Sequence, residues 1–444
     1  MDRDSAEPDV STIPGDAARK WVDHHHRFAA PSTYVYGFVW DHTEPAAGPF
    51  CTDIDGNVLM DFTAHVGSMP LGYNNPKILD PLAEFDLVDP LKIAGQDFYV
   101  TGGGLDPDVP GPTGLMERLV EATSHYGMDT VFLSNTGGEA VENALKVAFD
   151  HTRGKYVLTC EGAFHGRTLG TLSLNRSKEV YRRYFPEISS VETTPFCTDR
   201  TCTPPTCECG FFFDDTSWLR EMLAEETGWV NDEEVAALVI EPIQGEGGYR
   251  FPSDSFAAEV GALCREHDLT LVVDEVQCGV GRTGEMWASD HYAFVPDVIA
   301  SAKALRVGAT VSRAEVFPEE TSRISSTWGA GDILGAAQGA LTLDAIEEYD
   351  LLENATERGQ AMKELLRDAD LPGVTDVRGK GLMLAVEFES TERREDVIAA
   401  ALSKGLLTVG CGHRTVRLLP PLDVTEREIE LGADLFAGAV ESVA

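Results

Sequence analysis

The chain has 444 residues, 43% of them hydrophobic, which is enough apolar material for a large core in two lobes and excludes disorder for the chain as a whole. Seventy-four acids against 35 Lys and Arg leave a net charge of −39, the wrong sign for a nucleic-acid binder. No run of about 18 apolar residues occurs and "MDRDSAEPDVSTIPGD" carries no apolar leader, so a cytoplasmic protein with no membrane partner is expected. The acids are scattered ("EMLAEETGWVNDEE", "ESTERRED", "DVTEREIELGAD") rather than gathered in one tail. Two readings of that scatter stand: an acidic interface for a partner, or a halophilic surface working where about 1 M salt cuts screening to roughly 3 Å. The even spread favours the second.

Along the chain, the first 50 residues are aromatic and Pro-rich ("STYVYGFVWDHTEPAAGPF") with little periodicity. "DIDGNVLMDF" predicts a hairpin, with Asp55-Gly56-Asn57 as turn chemistry between short apolar strands. "PTGLMERLVEATSHYG" has helical spacing and Pro112 suited to the first turn. "DTVFLSN" predicts a strand, and "EAVENALKVAFDHT" a helix with Val141, Ala144, Leu145 and Ala148 on one face. "KYVLTCE", "VAALVIE", "LTLVVDE" and "DVIASA" are further strands, apolar throughout. Apolar strands alternating with helices indicate a mostly parallel sheet covered on both faces, the α/β class. From about residue 330, two long helical stretches precede "GLMLAVEFE", a helix, "TVRLLPPL" and a last helix, which indicates a smaller α+β lobe.

Chemistry enters at strand ends. Asp274 closes "TLVVD", and Lys303 follows "PDVIASA". A lysine at the end of an apolar strand is partly desolvated, which lowers its pKa and frees its amine for Schiff-base chemistry. A nearby acid can pair with a cationic heterocycle, and the two together are what pyridoxal 5′-phosphate requires. The alternative is that Asp274 caps a turn and Lys303 joins a salt bridge. Thr136, Gly137 and Gly138 in "SNTGGEA" lie between a strand and a helix, where backbone N–H groups can cradle a phosphate or simply make a tight turn. Phe164 in "EGAFHGRT" can stack on a planar ring or fill the core. "EPIQGEGG" follows "VAALVI" as "DEVQ" follows "TLVV", a second strand delivering an acid and an amide to the same edge.

In this order, "SNTGGEAVENALK", "AFHGRT", "EPIQGEGG", "DEVQCGVGRTG", "PDVIASAK", "SSTWG" and "VRGKGLM" resemble the class III (ω-amino acid) aminotransferases, over roughly residues 50 to 440. "IDGNVLMDFTAHVGSMPLGY" and "GCGHRTVRLLPPL" place the resemblance nearest the 4-aminobutyrate and L-lysine 6-aminotransferase branch. The resemblance implies pyridoxal-phosphate fold type I: an N-terminal segment (1–65) joining the small domain, a large cofactor domain (66–328) and a small α+β domain (329–444). It implies that Lys303 holds the cofactor and shuttles a proton, while Asp274 keeps the pyridine nitrogen protonated. Gln277 would bond the ring hydroxyl oxygen, with Val276 and Phe164 on the two ring faces and His165 among the cofactor contacts. Thr136, Gly137 and Gly138 would hold phosphate, joined by Thr327 from the neighbouring subunit of a homodimer. Arg167 would bind the carboxylate of an ω-amino donor, and Arg378 the α-carboxylate of the 2-oxo acid acceptor. Glu241 would mask Arg378 in the other half-reaction, since an uncompensated buried cation is costly.

The implied activity is transfer from an ω-amino acid, first 4-aminobutyrate, to 2-oxoglutarate. L-lysine, N-acetylornithine or an amino-acid racemase on the same fold are the alternatives. "NTGGEA" departs from the family's usual "NSGAEA", and "ALRVGATVSRAEV" lacks the glycine run of many relatives. Nine cysteines are present, and with no export signal a disulfide framework is not expected. Four of them, Cys197, Cys202, Cys207 and Cys209, crowd into "FCTDRTCTPPTCECG". They are candidate ligands for a structural zinc, or else reduced thiols or a local disulfide.

Overall fold

The computed structural model describes residues 1–32, 38–84, 109–188, 190–198, 202–326 and 332–444. They form two compact units, Asp80–Glu348 and a second made of Met1–Leu79 with Tyr349–Ala444.

Seven strands build the larger unit: β1 (Thr130–Ser134), β2 (Tyr156–Cys160), β3 (Val191–Thr194), β4 (Val235–Ile240), β5 (Leu271–Asp274), β6 (Val298–Ser301) and β7 (Gly308–Ser312). Their order across the sheet is β1-β7-β6-β5-β4-β2-β3. β7 runs antiparallel to both neighbours, and the remaining pairs are parallel. Six strands therefore end on one edge, the edge where such sheets place their ligands.

β4, β5 and β6 are buried at every position. A strand apolar on both sides requires cover on both faces. Helix α2 (Gly137–Thr152) supplies part of it, laying Val141, Ala144, Leu145 and Ala148 over Val157, Val239, Val272 and Val298. β3 and β7 carry weak sequence signals and were not expected. The polar "VETT" is mostly half-buried, and "GATVS" starts on a glycine; both are strands because a neighbouring strand offers its backbone groups.

Helix α4 (Ile333–Glu348) is buried nearly all round, against helix α1 (Pro112–Ala122) and the turn Lys303–Leu305. A Cβ on Gly339 would lie 2.5 Å from the Leu305 carbonyl, so glycine permits this contact. The contact puts α4 in the larger unit, whose boundaries fall at 79/80 and 348/349, whereas divisions at 65 and 328 were expected.

In the second unit the expected hairpin pairs Phe50–Thr52 with Val58–Asp61, and Gly56 takes φ +84° in its turn. Leu406–Leu407 runs parallel to Val58–Asp61, tying the chain's first segment to its last. A four-stranded antiparallel sheet follows, Val374–Lys380, Met383–Phe388, Thr415–Leu418 and Val409–Cys411. Ala64, His65 and Val66 stand consecutively at φ +42°, +50° and +60°. Left-handed backbone costs non-glycine residues about 1–2 kcal/mol each. Asp61 sustains it, its carboxylate accepting from Thr63 N and Oγ1, Ala64 N and Tyr73 OH at 2.6–3.1 Å. No described helix is long and apolar enough to cross a membrane.

Candidate active site

Strand register sets the site. Ile240 pairs with Val273, and Asp274 with Ala300, so Glu241, Asp274 and the segment leading to Lys303 leave the sheet side by side. Lys303, half-buried, opens a short 3₁₀ turn two residues past β6. Asp274 is 5% exposed. One carboxylate oxygen accepts from Val276 N at 3.0 Å, and the other lies 2.9 Å from His165 Nδ1. His165 is buried, and its Nε2 has no hydrogen-bond partner among the described residues.

The "FHGR" loop after β2 is held from three sides. His165 N donates to Asn175 Oδ1 (2.7 Å), and Asn175 Nδ2 donates to Gly166 O (2.8 Å). Thr168 Oγ1 and Thr171 N both donate to Glu142 on α2, at 2.6 and 3.0 Å. Gly166 takes φ +132°, and a Cβ there would come 2.8 Å from Gly138 Cα, so the loop passes close over the start of α2 only as glycine. Asn175 and Glu142 are positioning groups that the sequence reading missed. Neither carries a strand-end or glycine cue.

Arg167 lays its guanidinium 4.8 Å from the Tyr181 ring centre and 5.9 Å from that of Phe164. Among the described residues no carboxylate pairs with it. Tyr181 is braced in turn, sharing Glu246 Oε1 with Lys178 Nζ at 2.8 and 2.6 Å. Glu241 accepts from Phe164 N (2.9 Å) and Gly245 N (2.7 Å). Burial pushes its carboxyl up to about 7, Asp274 pushes the same way, and His165 and the two N–H groups oppose it.

At the other end, α2 starts at Gly137, two residues before the amphipathic pattern, with Thr136 as an extended N-cap accepting from Glu139 N at 3.2 Å. The first N–H groups of a helix lack intrahelical partners and favour an anion. A Cβ on Gly137 would lie 2.7 Å from Val276 Cγ1, and one on Gly245 2.5 Å from Gln277 Oε1. Val276 therefore touches the helix start, and Gln277 the loop that holds Glu241. Glu275, also missed, is buried and structural, accepting from Ala288 N, Ser289 N and Ser289 Oγ at 2.7–3.0 Å.

Thr327 lies outside the described residues. Arg378 belongs to the other unit, on Val374–Lys380, where its guanidinium meets Asp376 (2.9 Å) and Glu387 (2.7 Å). A polar cleft of about 350 Å³ lined by Asp232, His267, Asp297 and Arg313 opens beside the strand starts, on the sheet edge opposite to Asp274 and Lys303.

The donor set fits pyridoxal phosphate: an amine at a strand end, a buried carboxylate fixed by His165, a helix start for an anion, and Val276 pressed against that start. Such a set on the carboxyl edge of this sheet defines a pyridoxal-phosphate-dependent enzyme of fold type I. The family model "Aminotransferase class-III" matches residues 38–440, and the chain belongs to that family. It is 31% identical to the acetylornithine aminotransferase of Methanopyrus kandleri, over 96% of this chain and 99% of that protein. It is also 31% identical to the 4-aminobutyrate aminotransferase of Mycobacterium leprae, over 88% and 89%. The structure of lysine aminotransferase from M. tuberculosis is 28% identical, covers 96% of this chain and 100% of its own, and superposes with a TM-score of 0.84.

Proposed function

We propose that the chain transfers the terminal amino group of an ω-amino acid to 2-oxoglutarate in two half-reactions. 4-Aminobutyrate is the leading donor, with L-lysine and N-acetylornithine next. The observation that carries this reading is Arg167, a guanidinium held by two aromatic rings beside the site with no carboxylate partner among the described residues. An ω-amino acid brings the missing carboxylate at the end remote from its reacting amine. Arg378, which already has two carboxylate neighbours, is the less available cation and is proposed for the acceptor's α-carboxylate. The relatives support the donor class, since three different ω-amino donors appear in their names.

Bound pyridoxal phosphate supplies an aldehyde for the donor nitrogen and a cationic ring that takes up electrons from the neighbouring carbon. Lys303 would anchor it and move the proton at the carbon bearing the migrating amine. Asp274, oriented by His165, would hold a proton on the ring nitrogen. Gln277 would bond the ring oxygen, Val276 and Phe164 would flank the ring, and Thr136, Gly137 and Gly138 would hold the phosphate. Thr327 of the partner subunit would complete the phosphate site in a homodimer. The dispersed charge of −39 suits a halophilic setting, so assays belong in molar salt.

A donor panel against 2-oxoglutarate tests the reading. 4-Aminobutyrate is expected to give stoichiometric glutamate with the highest kcat/KM. Glutamate formed from α-amino donors alone, or inversion of an amino acid with no acceptor present, overturns it.

Glu241 adds a pH dependence. Its folded-state pKa is raised, so the folded protein binds the extra proton between the ordinary carboxylate range and about pH 7. Stability from this group is therefore present at low pH and declines as pH rises through 7, where a buried anion must be kept. The pH profile of the donor half-reaction in single turnover is expected to break near 7, and Glu241→Gln to remove the break. An unchanged break in the variant assigns it to another group.

A further inference from the structure

Outside the site just described, the sulfur atoms of Cys197, Cys202, Cys207 and Cys209 all lie within 4.8 Å of one another. Cys197 and Cys202 are buried, and the other two are half-buried. A tetrahedral zinc thiolate with bonds of about 2.3 Å sets its sulfurs roughly 3.8 Å apart, so the four converge as one such ion requires. A cluster of several irons spreads its cysteine sulfurs more widely.

The hydrogen bonds into the cluster point the same way. Phe212 N donates to Cys207 Sγ and Ser253 Oγ to Cys197 Sγ, both at 3.3 Å. The sulfurs of Cys197 and Cys207 thus face donors, the arrangement that stabilises thiolates and orients metal ligands. Among the described residues the Cys202 carbonyl stands against them, 3.6 Å from the Cys197 sulfur.

We propose that these four cysteines bind a single structural Zn²⁺. The ion joins segments that also meet through the buried rings of Phe196, Phe211 and Phe256, with the Phe256 ring centre 5.2 Å from that of Phe196 and 4.6 Å from that of Phe211. Cys197 accepts at its carbonyl from Ser253 N (2.9 Å), and Ser253 caps helix α3 (Asp254–Glu266). Next to it, the Phe196 carbonyl accepts from Arg250, which also donates to Gln244 Oε1 in the loop that carries Glu241 and Gly245. Cys207 and Cys209 lead into the two-stranded hairpin of Phe212–Phe213 and Thr216–Ser217. The zinc ties that hairpin to the helix cap and, one step removed, to the active-site loop. Its role is stability, because no residue proposed for the reaction touches it.

Holoenzyme purified without chelator is expected to contain one zinc per chain by plasma mass spectrometry. Cobalt exchanged into it should show the intense visible bands of a tetrahedral tetrathiolate site. Cys207→Ser and Cys209→Ser should each lower zinc to under about a tenth of an equivalent and lower Tm, while Cys264→Ser, a buried cysteine elsewhere, keeps the full equivalent. Metal content of the unaltered protein decides the matter even if a variant fails to fold. Zinc-free holoenzyme with all nine thiols reactive on denaturation, a Cys207–Cys209 disulfide in the peptide map, or stoichiometric iron in place of zinc overturns the proposal.

Discussion

Lys303→Ala is expected to slow glutamate formation by at least about 10⁴-fold, the upper end of what proton transfer by a positioned side chain contributes. It should also remove the part of the visible absorbance that depends on the covalent bond between Lys303 and the cofactor. Lys303 opens a short turn beside α4, where alanine fits the backbone, so the loss is chemical rather than one of folding. Lys303→Arg separates charge from chemistry. A guanidinium keeps the positive charge but neither condenses with the aldehyde nor gives up a proton at neutral pH, so it should be as inactive as alanine. A variant with wild-type colour and more than about 1% of the rate would remove Lys303 from the reaction, because general-base loss alone costs at least about 10²-fold.

Asp274→Asn should lower kcat by about 10²- to 10⁴-fold. Asparagine keeps the shape and an acceptor for Val276 N but removes the negative charge set 2.9 Å from His165 in a site 5% exposed. Breaking a buried charge pairing costs about 3–5 kcal/mol, and each 1.36 kcal/mol is tenfold in rate. Cofactor should remain bound through its other contacts, so the absorbance persists while the rate falls. Loss of cofactor and rate together would make Asp274 an anchor rather than the group that holds the ring proton.

Much of the site was legible because its chemistry sits at punctuation points. Lys303 and Asp274 stand at the ends of wholly apolar runs, and "TGG" marks a helix start; both patterns are local. The helices over 112–122 and 137–152 and the strands ending at Ser134, Cys160, Ile240, Asp274 and Ser301 all follow from spacing and burial period. Groups that act through long-range partners were silent. Asn175 and Glu142 look like ordinary polar residues until the "FHGR" loop is laid across them. Arg378 was named through the resemblance, but its strand, "VTDVRGK", has polar text with no strand period, and its partner Glu387 appears only once Met383–Phe388 pairs beside it.

By itself the sequence determined which segments are strands or helices in the core, the acid excess, the family resemblance and the strand-end groups, because each depends on neighbours within a few residues. Only the tertiary structure decided that β7 inserts antiparallel between β1 and β6, that α4 packs under the Lys303 turn, that Ala64–Val66 adopt left-handed backbone and that four sulfurs meet. Those outcomes rest on hydrogen bonds and packing between residues far apart in the chain, and local periodicity carries no record of which distant partner wins.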